Sequence, residues 1–261
     1  MIGGAGRGAD VLIGACNDPK YATVGALRER VLLDGRYEWQ DLPFSCPSSR
    51  HVMLARRRGA SAGGGTLEDG GLGALLESDS IPQYVWPAAG PMCEWVSANS
   101  SVFVGKTVLE LGCGTGVLGF TVAQHASLVV LTDSSPVSLA LALESVARNR
   151  YHNCRVAALQ WGRDDHLRQI KQECGVDVFD LVIGSDVFYF SNTLRAGLAT
   201  AHRALTPPHG ADSVFLCGSV ARSDRMEYDL EEMPVQEGFA LAGSLVQDPF
   251  RLYMWRPHCP P

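Results

Sequence analysis

Apolar residues recur at regular spacings in the later part of the chain, whereas the first part shows few such spacings. From Lys106 onward, short apolar runs typical of buried strands alternate with segments in which apolar residues recur at helical spacing. This alternation predicts a parallel sheet covered by helices. The predicted strands are 107–111, 128–131, 155–159, 180–184, 214–217, 239–246 and 251–255.

Helices are predicted between these strands. One continues from Gly119 to His125, and another starts where Ser135 can cap and Pro136 can occupy the first turn. Asn192 can cap a helix with one apolar stripe, and a further helix precedes the last two strands, which a short turn joins. We therefore predict an α/β fold: a Rossmann-like, doubly wound, seven-stranded sheet with an antiparallel last strand.

The first 80 residues carry weaker signals. Residues 23–33 have the spacing of a short amphipathic helix, and residues 37–42 and 51–55 have the composition of a hairpin. Of the 28 glycines, 14 lie in residues 1–80 and 14 in the other 181, and ordering a glycine costs more entropy than ordering other residues. We predict a poorly ordered N-terminal extension over 1–80 and a catalytic domain over 81–261.

Charge and cysteine usage narrow the class of protein. The 22 Lys and Arg residues against 28 Asp and Glu residues give a net charge of −6, which argues against a broad nucleic-acid-binding surface. The eight cysteines are scattered without a C-x-x-C pair or zinc-ligand spacing, which indicates a reducing compartment and no metal site. Apolar runs are shorter than the roughly 18 residues of a membrane span. We expect a soluble protein of the cytosol or the nucleus that binds neither nucleic acid nor membrane.

The candidate ligand-binding residues lie at the strand ends, because ligands of open α/β sheets bind beyond the carboxyl ends of the strands. The first strand ends at Glu110 and runs into Gly112, Gly114 and Gly116, whose small size allows tight turns and close approach by a ligand. The second strand ends at Asp133. A carboxylate at that position can accept two hydrogen bonds from a ribose diol, which indicates a nucleoside-containing cofactor.

Two cofactor classes fit this pattern. Gly114-x-Gly116-x-x-Gly119 matches the dinucleotide fingerprint, and Asp133 follows Gly114 at the expected distance, so a nicotinamide-dependent oxidoreductase is one alternative. Against it, the chain after Asp133 has room only to complete one sheet, and Glu110 would repel a pyrophosphate. S-adenosylmethionine carries positive charge and no phosphate, so it suits a carboxylate there.

Several further short motifs, which follow one another along the chain, support the S-adenosylmethionine alternative. They are Tyr84-Val-Trp86-Pro-Ala-Ala89, Glu110-Leu-Gly-Cys-Gly-Thr-Gly116, Thr132-Asp-Ser-Ser135, Trp161-Gly162 and Asp186-Val-Phe-Tyr189. From about Gln83 to Trp255 the chain resembles the seven-β-strand protein methyltransferases of the methyltransferase-like lysine group. The resemblance implies S-adenosylmethionine as cofactor, a protein as substrate and a monomer.

The resemblance also implies roles for individual residues. Trp86 would lie over the methionine end of the cofactor, Asp133 would bind the ribose hydroxyls and Trp161 would flank the adenine. The remaining cofactor-binding residues would be Glu110, Gly112, Cys113, Gly114, Gly116 and Ser185.

The acceptor site is assigned to Asp186 and Tyr189. A lysine amine with a pKa near 10.4 is protonated at neutral pH and must lose a proton before it can attack the methyl group. Our hypothesis is that Asp186 orients the acceptor nitrogen and that Tyr189 shapes the pocket. Arginine is the alternative acceptor, and a non-catalytic, cofactor-binding scaffold is the third class that the sequence leaves open.

Overall fold

The computed structural model describes residues 12–14, 18–22, 24–33, 37–42, 52–56, 83–188, 191–206, 213–220 and 222–258. The strands are β1 Leu12–Ile13, β2 Tyr37–Asp41, β3 Val52–Arg56, β4 Thr107–Glu110, β5 Leu128–Asp133, β6 Cys154–Ala158, β7 Leu181–Ser185, β8 Val214–Val220, β9 Phe239–Gln247 and β10 Phe250–Pro257. The α-helices are α1 Val24–Leu33, α2 Ala89–Ala98, α3 Val117–Ala123, α4 Pro136–Asn149, α5 Asp164–Cys174, α6 Ser191–Leu205 and α7 Asp224–Gln236. Short 3-10 turns cover Pro19–Tyr21 and Ser100–Val102.

One eight-stranded sheet organises the described residues, with the order β1-β6-β5-β4-β7-β8-β10-β9. The neighbouring strands β1, β6, β5, β4, β7 and β8 run parallel, and β10 is antiparallel to both of its neighbours. The carboxyl ends of β4, β5, β6 and β7 therefore meet at one edge of the sheet, with β5 on one side of β4 and β7 on the other. This is the topological switch point at which open α/β sheets bind ligands.

Both faces of the sheet are buried, which explains the continuous apolar runs of its strands. Val108 of β4 belongs to the core cluster that contains residues of α2, α3 and α4, while the next residue, Leu109, belongs to the cluster that contains residues of α5, α6 and α7. Val129 and Val130 of β5 divide in the same way. The period of two along each strand places alternate side chains in two separate helical layers.

The predicted sheet is confirmed, with seven strands in the expected positions and an antiparallel β10. The predicted caps are confirmed for α4, where Ser135 Oγ accepts from the Ser138 N–H at 3.4 Å and Pro136 begins the helix. Two helices, α2 and α5, had no predicted counterpart. The α5 sequence is mostly polar and buries only His166, Leu167 and Ile170, so its apolar signal is short.

The extension adds to the sheet rather than standing apart from it. β1 pairs with β6 as an eighth strand, with Leu12 opposite Val156. The predicted helix and hairpin are confirmed as α1 and the antiparallel β2–β3 pair. Val31 of α1 shares a small core cluster with Val137 and Leu141 of α4, so α1 covers a part of α4 that does not face the sheet.

Candidate active site

The loop between β4 and α3 turns sharply through residues with positive φ. Gly112, Gly114 and Gly116 have φ values of 59°, 53° and 81°, a region that residues with a Cβ rarely adopt. The Gly116 N–H donates to the Cys113 carbonyl at 2.7 Å, and the Cys113 N–H donates to the Thr132 carbonyl of β5 at 2.8 Å. The first bond closes the turn, and the second fastens the loop to the end of β5.

Asp133 organises the same edge from β5. Its Oδ2 accepts from the Gly114 N–H at 2.9 Å, and its Oδ1 accepts from the Ser135 N–H at 2.8 Å. Burial raises the pKa of this carboxyl, while the backbone N–H groups of Ser135 and Gly114 act in the opposite direction. Each oxygen retains a lone pair, so the side chain keeps the capacity to accept from a ribose diol.

Trp161 lies beside the glycine loop, as predicted. A Cβ at Gly112 would be 3.6 Å from Trp161 Cζ2 and 3.0 Å from Val187 Cγ1. Because Gly112 has no side chain, a narrow space stays open between the loop and these two side chains. The Trp161 ring leans on Phe188, with 5.5 Å between ring centroids and an interplanar angle of 57°. Trp161 remains partly exposed and presents an aromatic surface at the carboxyl end of β6.

Glu110 is turned into the protein, where its carboxyl lies against α3. Burial raises the pKa of this carboxyl to about 8, and a hydrogen bond from the Gly119 N–H opposes the shift only in part. Its Oε2 is buried without a hydrogen-bond partner among the described residues. Burial therefore disfavours the charged form of Glu110, and its assignment to the cationic end of the cofactor stays a prediction.

The absence of a side chain at Gly119 leaves the space that this carboxyl occupies. A Cβ at Gly119 would overlap Glu110 Oε2 and approach Leu131 Cδ2 to 2.8 Å. Gly116 likewise leaves room for the Phe120 ring, which would be 2.7 Å from an added Cβ. The fingerprint spacing of these glycines therefore reflects internal packing as well as backbone turns.

Asp186 joins three segments at the ends of β7 and β8. Its Oδ2 accepts from the Ala88 N–H at 2.8 Å, and its Oδ1 accepts from the Val220 N–H at 3.1 Å. The residue has a φ of 51° and is 3% exposed. Its carboxylate therefore ties the Trp86–Ala89 segment to the end of β8.

Arg222 completes this cluster and had no counterpart in the sequence prediction. Its guanidinium lies 3.2 Å from Asp186 Oδ1 and 4.8 Å from the Trp86 ring centroid. A single arginine after a strand matches no sequence motif. The only signal in the sequence is its position two residues beyond the end of β8. Tyr189, the other predicted acceptor-site residue, lies outside the described residues.

The residues present fit a nucleoside cofactor at this edge. Ser185, at the end of β7, has a buried Oγ without a hydrogen-bond partner among the described residues, so a polar group remains there for a ligand. Burial raises the pKa of the Cys113 thiol well above its usual range, which suits a neutral lining of the pocket. Within the described ranges, acidic residues, histidines and cysteines form no group that could hold a metal ion. None of the described helices has both the length and the apolar character that crossing a membrane requires.

Comparisons with known proteins agree with this geometry. Residues 76–231 match a family model described as lysine methyltransferase. EEF1A lysine methyltransferase 3 of Mus musculus is 36% identical over 132 residues, covering 48% of this chain and 51% of that protein. Histone-arginine methyltransferase METTL23 of the same organism is 32% identical over 143 residues, covering 51% of this chain and 54% of that protein. The chain thus spans about half the length of these curated relatives.

A solved structure shares the fold. The 16S rRNA N2 G1207 methyltransferase (RsmC) of T. thermophilus, solved with AdoMet and guanosine, has a TM-score of 0.56 and 16% sequence identity. The match covers 87% of this chain and 52% of that one. At this identity the likeness concerns the arrangement of strands and helices.

Proposed function

Because this chain belongs to the lysine methyltransferase family, we propose that it transfers a methyl group from S-adenosylmethionine to a side-chain nitrogen of a protein, lysine first and arginine as the alternative. The observation that carries the proposal is a juxtaposition at one sheet edge. A glycine loop held by Asp133 lies on β4 and β5. Asp186 lies at the end of the neighbouring β7, where it binds the Ala88 N–H and, with Trp86, contacts Arg222.

The cofactor half of the site would accept the nucleoside on β5 and β6. Asp133 is held by the backbone in the orientation that leaves lone pairs for ribose hydroxyls. Trp161 offers a stacking surface for adenine, and the absence of a side chain at Gly112 admits the ligand close to the loop backbone. When bound, S-adenosylmethionine supplies the electrophilic methyl group.

The acceptor half would bind a cationic side chain. Arg222 shows that the Trp86 face and the Asp186 carboxylate together hold a cation in this structure. A carboxylate offers about four acceptor sites, and Asp186 uses three of them, which leaves one for an acceptor nitrogen. In this proposal Asp186 orients the nitrogen, and holding it in line with the methyl group supplies much of the rate.

Sheet topology favours this function over dinucleotide-dependent oxidation. The dinucleotide-binding sheet has six strands in the order 3-2-1-4-5-6, all parallel in its basic form. Here β10 is inserted antiparallel between β8 and β9, which changes both the order and the direction at that end of the sheet.

The chain's location is also a proposal. The cysteines that the structure describes are all free, which supports a reducing compartment such as the cytosol or the nucleus. A monomer that recognises a protein substrate remains our expectation from the family resemblance.

Ligand titration tests the cofactor. We expect S-adenosylmethionine to quench the tryptophan fluorescence of the protein in a saturable way, because Trp86 and Trp161 line the proposed cleft. NADH should produce no saturable change. The Asp133→Asn variant should bind S-adenosylmethionine more weakly, since an asparagine side chain has only one oxygen that can accept hydrogen bonds. Binding of NADH in place of S-adenosylmethionine would contradict the proposal.

Transfer of labelled methyl groups tests the reaction. The purified protein, added to a cell lysate with methyl-labelled S-adenosylmethionine, should label a discrete protein band that the Asp133→Asn variant labels less. Hydrolysis and amino-acid analysis of that band distinguishes methyllysine from methylarginine. Cofactor binding without any labelled protein would instead support the non-catalytic scaffold.

A further inference from the structure

The N-terminal extension reaches the cofactor edge of the sheet. β1 runs parallel to β6, so it ends at the same edge as Asp133, whose β-bridge partner on β6 is Ala158. Gly14 follows β1 directly, and a Cβ there would lie 3.2 Å from the Ala158 carbonyl oxygen. Gly14 therefore lies at the carboxyl end of β6, and the next described residues form the turn at Pro19–Tyr21.

That turn has a defined conformation. The Tyr21 N–H donates to the Asp18 carbonyl at 3.0 Å, and the Asp18 side chain accepts from the Lys20 N–H at 2.9 Å. The Tyr21 ring meets His166 edge to face, with 6.4 Å between centroids, and His166 Nδ1 accepts from the Gln160 N–H at 3.3 Å. Gln160 precedes Trp161, so the contact of Tyr21 with His166 connects this turn to the segment that carries the proposed adenine-binding residue.

The hydroxyl of Tyr21 is the unusual part of this arrangement. The side chain is 4% exposed, yet its Oη has no hydrogen-bond partner among the described residues. Burial, together with the charges of Asp18 and Asp133, raises the pKa of the phenol to about 12, so the hydroxyl keeps its proton at neutral pH. A buried donor without an acceptor is destabilising, so an unpartnered group of this kind points to a partner such as a bound ligand.

We infer that Tyr21 donates its hydroxyl proton in a hydrogen bond to the adenosine portion of S-adenosylmethionine, which makes the turn at residues 18–22 part of the cofactor site. The inference rests on the proposed function, because it assumes that the Asp133 edge binds this cofactor. It assigns to the extension a ligand contact that motifs of the catalytic domain do not contain.

The Tyr21→Phe variant tests the inference, because it removes only the hydroxyl. The dissociation constants of S-adenosylmethionine and S-adenosylhomocysteine should both rise about 2- to 10-fold, as expected for one hydrogen bond to a moiety that the two ligands share. The ligand-free variant should unfold at the same temperature as the wild type or higher, since it no longer buries an unpaired donor. Isothermal titration calorimetry and thermal unfolding measure these two effects.

Tyr151→Phe is the matched control. Tyr151 is also buried, but it precedes β6 at the opposite edge of the sheet, and its hydroxyl lies 3.5 Å from the Phe120 carbonyl. Its affinity for both ligands should equal that of the wild type. Wild-type affinity in Tyr21→Phe, weakening for only one of the ligands, or a lower unfolding temperature without ligand would overturn the inference. A wild-type protein that fails to bind S-adenosylmethionine would instead refute the proposed function itself.

Discussion

Glu110 and Gly119 fit together as a pair, in which the absent side chain of one accommodates the carboxyl of the other. The Gly119 N–H donates to this carboxyl, and Glu110 Oε2 is buried without a partner among the residues that the structure describes. The packing of the glycine loop against α3 therefore depends on this pair, and substitutions here should change packing and the ionisation of Glu110.

Adding one methyl group at Gly119 should destabilise the protein. In Gly119→Ala the new Cβ overlaps the Glu110 carboxyl and crowds Leu131, and overpacking of this kind costs about 1–3 kcal/mol. Gly90→Ala is the control, because no atom lies within 4 Å of a Cβ there and alanine favours the helix by about 1 kcal/mol. Denaturant unfolding measures both. Equal stability of the two variants would contradict the packing argument.

The pKa of Glu110 predicts a pH dependence of stability. Its pKa is about 8 in the folded protein against 4.5 for the ordinary side chain, so the folded state binds more protons between these values. Stability should therefore fall as pH rises from about 5 to about 8, with a slope of up to about 1.4 kcal/mol per pH unit from this group. Glu110→Gln should flatten that part of the profile.

Asp133 also has a raised pKa and contributes in the same direction, so the difference between wild type and variant isolates Glu110. The exposed Glu94 of α2 provides a control, because Glu94→Gln removes a carboxylate without changing a buried group. Chemical denaturation at several pH values is the measurement. A Glu110→Gln profile parallel to that of the wild type would refute the prediction.

At the scale of elements, short segments of the extension complete the core. β1 has only two residues, yet Ile13 is 3% exposed and belongs to the same core cluster as Leu167 and Ile170 of α5. α1 packs on α4 through Val31 and through the Arg28–Glu144 ion pair, whose Nε and Oε1 atoms are 2.5 Å apart. The extension thus buries surface that the sheet and α4 would otherwise expose.

Truncation of Ile13 should therefore weaken the whole protein. Ile13→Ala removes buried methyl groups and should lower the free energy of unfolding by about 2–4 kcal/mol. Leu33→Ala, at the 87% exposed end of α1, should change it by less than about 0.5 kcal/mol. Hydrogen exchange should also become faster in β6, the strand that β1 pairs with. Unchanged exchange and stability would show that β1 is dispensable.

At the scale of the whole molecule, Asp186 links segments that are far apart in the chain. Its carboxylate contacts Ala88, Val220 and Arg222, so it joins the start of the catalytic region to the last parallel strand. The Trp86 side of the site is consequently held by a residue that also faces the proposed acceptor. Stability and activity are coupled at this position.

Asp186→Asn should reduce both properties. One amide oxygen can accept from only one of the two backbone N–H groups, and an unpaired buried N–H costs about 1–3 kcal/mol. Asp248→Asn, with a side chain 86% exposed, should leave the free energy of unfolding within about 0.5 kcal/mol of the wild type. Thermal unfolding and methyl transfer are measured together. An Asp186→Asn protein with wild-type stability would refute this anchoring role.

Local patterns determined most of the fold. Alternating apolar runs and helical stripes located the seven strands, the cap at Ser135 and the helix and hairpin of the extension, because burial on both faces of a parallel sheet imposes its period directly on the sequence. The glycine loop and Asp133 were equally visible, since positive φ and a carboxylate at a strand end each require particular residue types.

Tertiary structure alone decided the rest. β1 is too short to carry a period, and its pairing with β6 depends on a partner more than 140 residues away. The same holds for the raised pKa of Glu110, for the contacts of Arg222 with Trp86 and Asp186, and for the buried Tyr21 hydroxyl, which has no partner among the described residues. Each of these properties arises from burial and from neighbours brought together by folding, which residue spacing along the chain does not encode.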